Sequence, residues 1–434
     1  MKVLDGIIDG LRGIFGGLTD CRRRHDDVIS MSDIAMSAFS LFFMQSESFL
    51  SFQRALEARK GRSNCQSLFG MERIPTDNHI RKMLDAVPPQ ELAPAFDHVL
   101  AALRKAGGLT PFERLGGRVL IALDGTEYFV SSKLGCPRCQ SRKRGKNGLE
   151  HYHSMLGASL VAPGHSLVFP LFPEFITPQD GAEKQDCERV AAKRWLDAYG
   201  AGLNALRPVY LGDDLFACQP IAEKIAGLGG DFLLTAKPES HKTLYDFIDG
   251  AELEEHHRTE RKPGGKHLTY HYRWIEAVPL RDGKDAMEVN WLALTITNAA
   301  GKVTYRGSFV TSLPITTETI VEIADCARAR WKIENESFNV LKNNGYHLEH
   351  NFGHGKENLA MVFVAMNLLA FACHTLCDAL EPTWHEARTI LRARHRLFEH
   401  VRSITAYLVF PSWQSLMTTL ITGVPPPEKS DPAG

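Results

Sequence analysis

The chain has 434 residues, of which 44% are hydrophobic and 23% are charged. This balance is that of an ordinary globular protein, with enough apolar residues to build a large core in about two to four structural units. The formal net charge of −1 excludes a general attraction of the whole chain to nucleic acid, so any DNA-binding surface must come from charges segregated along the sequence.

Targeting and redox features are those of a cytoplasmic protein. The N-terminus mixes Lys2, Asp5 and Asp9 with glycines and lacks the pattern of a secretory leader. The longest apolar stretch, residues 360–373, contains Asn367 and is shorter than the ~18 to 20 residues of a membrane span, which predicts a buried core helix. Nine cysteines, an odd number, indicate a reducing compartment.

Residues 1–114 have helical periodicity and predict an N-terminal helical domain. Within it, residues 74–84 combine a capping residue with an amphipathic run. This helix is either a DNA-contacting helix or a packing helix of an accessory domain, because the pattern is common to both.

An α/β unit is predicted for residues 115–236. The apolar run 118–123 ends in Asp124, and a second run, 208–212, ends in Asp213. Short apolar strands that alternate with helical segments predict an α/β sheet, and polar residues at strand ends are where such sheets place their chemistry.

The rest of the chain divides by pattern into three parts. Residues 237–315 alternate polar and apolar side chains between glycine-containing turns, which predicts a β-rich insertion. Residues 316–380 are predicted to be helical. A basic helical segment and a proline-rich, disordered tail are predicted for residues 381–434.

Two acids at the ends of buried strands suggest a metal site. Desolvating an unpaired carboxylate is strongly unfavourable, and a divalent cation would offset the charges of Asp124 and Asp213. Magnesium prefers carboxylate oxygens together with open positions for water and phosphate. The alternative is that both aspartates cap turns or helices.

A third acid is found in the helical segment 328–342. On a helix with about 3.6 residues per turn, Glu334 shares its face with Arg330 and with apolar side chains, whereas Glu336 lies on the opposite face. The apolar side chains are those of Trp331, Phe338 and Leu341. The pattern therefore predicts that Glu334 points toward the core, as a structural ion-pair partner or a ligand, and that Glu336 is a surface acid.

This helix resembles the signature helix of DDE transposases from bacterial insertion sequences, whose catalytic core is ribonuclease H-like. The resemblance rests on Arg330-Trp331, Ile333-Glu334, Phe338 and Leu341-Lys342, and further on segments 123–127, 211–216 and 344–355. It covers about residues 115–375. The order Asp, Asp, Glu with a β-rich insertion before the Glu fits the family.

The resemblance implies a transposase that cleaves transposon ends and joins them to target DNA. Asp124, Asp213 and Glu334 would bind two magnesium or manganese ions, while Arg330 and Lys342 would contact DNA phosphate. A homodimer on DNA and no contact with membranes are also implied.

Three features of the sequence depart from the family pattern. Ala327 replaces the usual tyrosine, the spacing from Glu334 to Lys342 is one residue longer than usual, and Asp214 lies beside Asp213. The longer spacing leaves Glu336 as an alternative ligand. Alternative functions are a metal-dependent nuclease of the same fold and an inactive, zinc-stabilised DNA-binding regulator.

A second metal site is predicted from cysteines and histidines. Cys136 and Cys139 form a CxxC pair, and His151 and His153 follow, which together are the ligand set of a tetrahedral structural zinc. Alternatively, these side chains pack separately. Residues 133–146 contain six cations and no acid, and four of the cations are predicted to contact the DNA backbone. These four are Arg142, Lys143, Arg144 and Lys146.

Overall fold

The computed structural model describes residues 2–23, 29–144, 148–178, 188–262 and 266–426. The helices are α1 (Lys2–Gly16), α2 (Met31–Phe43), α3 (Phe49–Glu57), α4 (Arg59–Phe69), α5 (Asp77–Asp85), α6 (Ala93–Lys105), α7 (Glu188–Trp195), α8 (Gln219–Gly227), α9 (Lys242–Asp249), α10 (Ile320–Arg328), α11 (Asn339–Asn343), α12 (Leu359–Leu380), α13 (Pro382–Leu391), α14 (Arg394–Tyr407) and α15 (Trp413–Thr422). Lys146 and residues 427–434 of the predicted tail lie outside the described residues.

The strands belong to one mixed sheet, and several short turns of other helix types connect the elements. The strands are β1 (Glu113–Arg114), β2 (Arg118–Ser131), β3 (Gln140–Lys143), β4 (Leu149–Val161), β5 (Phe169–Pro170), β6 (Glu174–Ile176), β7 (Pro208–Gly212), β8 (Asp231–Thr235), β9 (Glu254–Lys262), β10 (Lys266–Pro279), β11 (Glu288–Asn298) and β12 (Val303–Thr311). The 3₁₀ turns are Pro89–Leu92, Thr110–Phe112, Ala201–Leu206 and Ala329–Trp331, and the π-helical turns are Leu196–Gly200 and Ile333–Phe338.

The central part of the sheet has the order β4-β2-β7-β8. Strands β2, β7 and β8 are parallel to one another, and β4 is antiparallel to β2. Strand β7 is buried along its whole length, as expected for an apolar strand covered on both faces. The α/β class predicted from the alternating strands and helices is confirmed.

Strands β9 to β12 extend this sheet. They form an antiparallel meander, and β12 pairs antiparallel with β8 through Phe309 opposite Thr235. The β-rich region after residue 237 therefore adds strands to the edge of the central sheet, with α9 preceding it along the chain.

Helix α12 is the centre of the helical layer. It packs against α2, α5 and α6 from the N-terminal part of the chain and against α13. With 22 residues and a mean hydropathy of 2.0 it is long and apolar enough to cross a membrane, but 94% of its most apolar window is buried inside the protein. The helix is longer than the apolar stretch 360–373 seen in the sequence. Its burial agrees with the predicted core helix.

Helix α5 corresponds to the amphipathic segment that the sequence left open between DNA contact and packing. Thr76 caps it by accepting a hydrogen bond from the backbone N–H of His79 at 3.3 Å. Its apolar face, which includes Met83 and Leu84, is buried. Asp85 at its end accepts four backbone N–H groups at the start of α12. These contacts support the packing alternative for this helix.

The C-terminal basic segment contributes to packing. Arg394 and Arg388 form ion pairs with the buried Asp378 at 2.5 and 3.2 Å. Arg402 donates hydrogen bonds of 2.7 Å to two backbone carbonyls just after α2. Arg394 and Arg402, which belong to a basic run in the sequence, thus hold α14 against the core.

Candidate active site

The sheet places Asp124 and Asp213 at the same level of two adjacent parallel strands. Strands β2 and β7 are in register up to Ala122 opposite Leu211, and each aspartate lies two residues beyond that pair. Asp124 accepts a hydrogen bond from the N–H of Gly125, and Asp213 accepts one from the N–H two residues after it, both at 2.9 Å. Asp213 directly follows the end of β7, whereas Asp124 lies inside β2, which continues to Ser131. The predicted strand end at Asp124 is therefore wrong, but the adjacent parallel strands still place the two acids at the same level.

Arg330 connects the sheet to the helical segment that carries Glu334. Its Nη1 donates to Asp124 Oδ2 at 3.2 Å, and its Nη2 lies 2.6 Å from Glu334 Oε1. The guanidinium side chain is only 20% exposed. The structure thus brings Asp124, Arg330 and Glu334 into direct contact.

The electrostatics of Asp124 show that the three predicted acids converge. The pKa of Asp124 is raised to about 7, chiefly by burial, while the neighbouring Arg330 acts to lower it. The charge and hydrogen bond of Glu334 and the charge of Asp213 contribute to this rise. Mutual repulsion between close carboxylates disfavours their simultaneous ionisation unless cations compensate it.

The segment that carries Glu334 is not a regular α-helix, which corrects the predicted helical face. Ala329–Trp331 is a 3₁₀ turn and Ile333–Phe338 is a π-helical turn. Glu334 and Trp331 are 48% and 43% exposed, so they do not lie on the buried stripe. The buried apolar side chains of the segment are Ile333, Phe338 and Leu341. Because a π-helical turn changes the angle between successive residues, face assignments based on 3.6 residues per turn fail here.

Glu336 lies in different surroundings from Glu334. Its charge raises the pKa of Lys332, although burial of this lysine, the larger effect, lowers that pKa overall. Lys332 in turn donates to the carbonyl of His165 at 2.6 Å. Glu334 shares Arg330 with Asp124, whereas Glu336 is a neighbour of Lys332, so the geometry favours Glu334 as the third acid.

Asp214, which lies beside Asp213 and departs from the family pattern, binds the loop after β8. It accepts hydrogen bonds from the N–H of Lys237 at 2.6 Å and from the hydroxyl of Ser240, and it lies 3.3 Å from Nε2 of His241. Its carboxylate therefore has structural partners away from Asp124.

Glu188 is a fourth acid at this site, and the sequence reasoning missed it. A Cβ added to Gly125 would lie 2.1 Å from Glu188 Oε1, so the glycine leaves room for this carboxylate against β2. Burial and the charge of Asp213 raise the pKa of Glu188. The sequence contains no distinguishing signal, because an acid in the first turn of a helix is common.

Lys342, predicted to contact DNA, is paired within the chain. Its Nζ lies 2.8 Å from Oε1 of Glu349, and its side chain is 24% exposed. Arg330 therefore belongs to the acid cluster, whereas Lys342 forms a separate ion pair with Glu349.

The basic run before β4 forms a hairpin whose arginines are paired with acids from neighbouring strands. Arg142 contacts Glu127 at 2.5 Å and Glu150 at 2.8 Å, and Arg144 contacts Glu150 at 2.7 Å. Lys143 is exposed. The run contains no acid in the sequence, but in the fold part of its positive charge is paired with acids from β2 and β4.

The predicted zinc ligands are grouped differently from the expectation. Cys136, Cys139 and His153 lie together, but the fourth member is His354 from the loop before α12. His151 packs with its ring 3.0 Å from the position of a Cβ on the glycine before Cys136, and it is not in the group. The hydrogen bond with Cys139, followed by those with the two imidazoles, lowers the pKa of the Cys136 thiol.

The α/β sheet and its acid cluster define a domain with a ribonuclease H-like core. A family model described as transposase DDE domain matches residues 118–372, which is more than half of the chain and includes Asp124, Asp213 and Glu334. The chain belongs to this family of DDE transposases, which act in DNA transposition and use divalent metal ions. A search of curated proteins gave no match.

Proposed function

We propose that this transposase cleaves the ends of its insertion sequence and joins the 3′ ends to target DNA, with Asp124, Asp213 and Glu334 as ligands of two magnesium or manganese ions. The observation that carries the proposal is the contact of Arg330 with both Asp124 and Glu334, which brings the signature helix onto central strand β2.

The residues present fit divalent cations. Carboxylate oxygens are the hard ligands that magnesium and manganese take. Three carboxylates, those of Asp124, Asp213 and Glu334, act on the positive charge of Arg330, and the carboxylate of Glu188 lies near Asp213. The excess negative charge in a partly buried site is what bound cations would offset.

When bound, the ions would supply an activated water or 3′-hydroxyl and stabilise the leaving oxygen of the phosphodiester. The chain itself holds and orients the ligands. One carboxylate oxygen of Asp124 and one of Asp213 is fixed by a backbone N–H at 2.9 Å, which sets the direction of each carboxylate. Arg330 is placed to bind a phosphate oxygen when its acid partners turn to the metal, since a guanidinium matches phosphate geometry. The proposal involves no protein nucleophile.

Contacts with the DNA backbone are proposed for the basic hairpin and the signature helix. Arg142, Lys143 and Arg144 are exposed on the hairpin, and the two arginines form ion pairs with acids. An exposed arginine can replace its carboxylate partner by a DNA phosphate at little cost in free energy, because exposed ion pairs contribute little stability. The proposed partners are double-stranded transposon ends and target DNA, bound by a homodimer in a bacterial cytoplasm.

Two other functions compete with this one. A nuclease of the same fold would hydrolyse DNA without joining it, and an inactive regulator would bind DNA without cutting it. The convergence of the acids speaks against the regulator, because clustered carboxylates cost stability unless they serve a ligand.

A strand-transfer assay separates the three functions. DNA that carries the element's own ends with a free 3′-hydroxyl is mixed with target DNA, manganese and either wild-type protein or Asp213→Ala. We expect joined products with the wild type and none with Asp213→Ala. Hydrolysis without joining would identify a nuclease, and binding without reaction in magnesium or manganese would identify a regulator.

A further inference from the structure

The cluster of Cys136, Cys139, His153 and His354 has the dimensions of a tetrahedral zinc site. The two Sγ atoms are 3.8 Å apart, His153 Nε2 lies 3.5 and 3.3 Å from the Sγ atoms of Cys136 and Cys139, and His354 Nε2 lies 3.5 Å from Cys139 Sγ. Around a zinc ion with Zn–S bonds of about 2.3 Å and Zn–N bonds of about 2.0 Å, tetrahedral geometry requires about 3.8 Å between sulfurs and about 3.5 Å between sulfur and nitrogen. All four ligand atoms lie within 4.8 Å of one another.

The backbone presents the two cysteines from one tight turn. The N–H of Cys139 donates to the carbonyl of Cys136 at 3.0 Å, and the N–H of Cys136 points at Cys139 Sγ at 3.4 Å. The N–H directed at Cys139 Sγ stabilises a thiolate, which is the form that binds metal. The turn therefore brings the two sulfurs together and favours the thiolate of Cys139.

The loop before α12 is shaped to bring in His354. Gly353 and Gly355 flank it with φ of +155° and +70°, values that other residues rarely adopt. A Cβ on Gly355 would lie 2.4 Å from Asp85 Oδ1, the carboxylate that caps α12. The two glycines thus let the loop pass close to α5 with His354 directed at Cys139.

The cluster is closed by aromatic rings. His153 is 1% exposed and Cys139 is 8% exposed. Tyr128 stacks on the His153 ring at 5.6 Å, and the Phe129 ring lies 4.4 Å from that of His354. Four protein ligands and a shielded position are the properties of a structural zinc site rather than a catalytic one.

We propose that this chain binds one structural zinc ion through Cys136, Cys139, His153 and His354. The ion clamps the basic β3–β4 hairpin to the loop that follows the signature helix, 215 residues away from Cys139 in sequence. The site is separate from the catalytic acids, and the inference does not depend on the chemistry proposed for them.

Zinc content of the purified full-length protein tests the proposal. We expect about one zinc per chain in the wild type. Cys139→Ser and His354→Ala should lose most of it, and His354→Cys should retain it, because a thiolate can replace the imidazole. Substitution with cobalt should give the visible absorption bands of a tetrahedral ion and a thiolate charge-transfer band.

Two matched controls keep the outcome specific. His151→Ala, on the same strand as His153, and Asp124→Asn, in the acid cluster, should both retain zinc. Wild-type protein without zinc and without cobalt absorption would overturn the proposal, and this readout does not require any variant to fold. Loss of zinc in His151→Ala with retention in His354→Ala would show that the ligand set is wrong.

Discussion

Arg330 donates a hydrogen bond to Asp124 at 3.2 Å, although 206 positions separate the two residues in the sequence. The same guanidinium holds Glu334 at 2.6 Å. One cation thus joins the middle of central strand β2 to the signature helix, and it balances part of the negative charge of the acid cluster. The contact makes Arg330 both a structural link and a candidate for phosphate binding.

Substitution of Arg330 tests this double role. Arg330→Gln should lower DNA cleavage by about 10²- to 10³-fold, the usual effect of removing one preorganised electrostatic contact. Arg328→Gln is the matched control, because Arg328 lies over the ring of Tyr305 at 4.8 Å and pairs with Asp325. Cleavage by Arg330→Gln at the wild-type rate would show that the guanidinium has no part in the reaction.

The space at Gly125 provides a test of the fourth acid. Gly125→Ala would place a methyl group 2.1 Å from the present position of Glu188 Oε1 and displace that carboxylate. We expect cleavage to fall on the order of 10²-fold, as for a misplaced ligand, and Glu188→Gln to have a similar effect. Gly13→Ala is the control, since a Cβ there meets nothing within 4 Å. Full activity of both site variants would exclude Glu188 from the site.

The hairpin arginine and its neighbouring lysine should behave differently. Lys143→Ala should weaken DNA binding and reduce the slope of log K against log salt by about one, with little change in Tm. Arg142→Ala should also lower Tm, because it removes the ion pairs with Glu127 and Glu150. Binding titrations at several salt concentrations and thermal melts give both readouts. An unchanged salt slope in both variants would place the DNA elsewhere.

Asp85 should stabilise the protein in a pH-dependent way. Burial raises the pKa of Asp85, but hydrogen bonds from four backbone N–H groups lower it, and the net pKa lies below its ordinary value of 3.8. The stabilisation is therefore fully present above pH 3.8 and is lost as the pH falls through the lower pKa of the folded state. At pH 7, Asp85→Asn should cost about 0.3 to 1 kcal/mol, the usual range for a negative charge at a helix N-terminus.

Urea unfolding at a series of pH values measures this effect. The difference between wild type and Asp85→Asn should be constant from pH 7 to about pH 5 and should shrink below 3.8. Asp9→Asn, an exposed acid on α1, should show no such dependence. A difference that grows as the pH falls would contradict the assigned role.

Local patterns predicted the features that depend on neighbours in sequence. The apolar runs before Asp124 and Asp213 lie in adjacent parallel strands, as expected for buried apolar runs. The end of the first strand was predicted wrongly, since β2 continues past Asp124 to Ser131. The helical spacing around Glu334 was less reliable, since a π-helical turn has no simple signature in hydrophobic periodicity.

Features that depend on distant contacts were missed. His354 joins Cys139 across 215 positions, and neither residue carries a signal of the other. In the same way, Arg142 on β3 pairs with Glu127 on β2, two strands away in the sheet, so counting charges within the run overestimated its free positive charge. The missed residue Glu188 reaches the site only because Gly125 leaves room for it.

The most direct test of the central claim is metal-dependent cleavage of labelled DNA that carries the element's own ends. Asp124→Asn, Asp213→Asn and Glu334→Gln are compared with the neighbouring controls Asp214→Asn and Glu336→Gln in magnesium and in manganese. We predict that the first three variants lose ~10³-fold or more of the rate, while the two controls stay within about 10-fold of the wild type. Loss of cleavage in Glu336→Gln with retention in Glu334→Gln would contradict the proposed site.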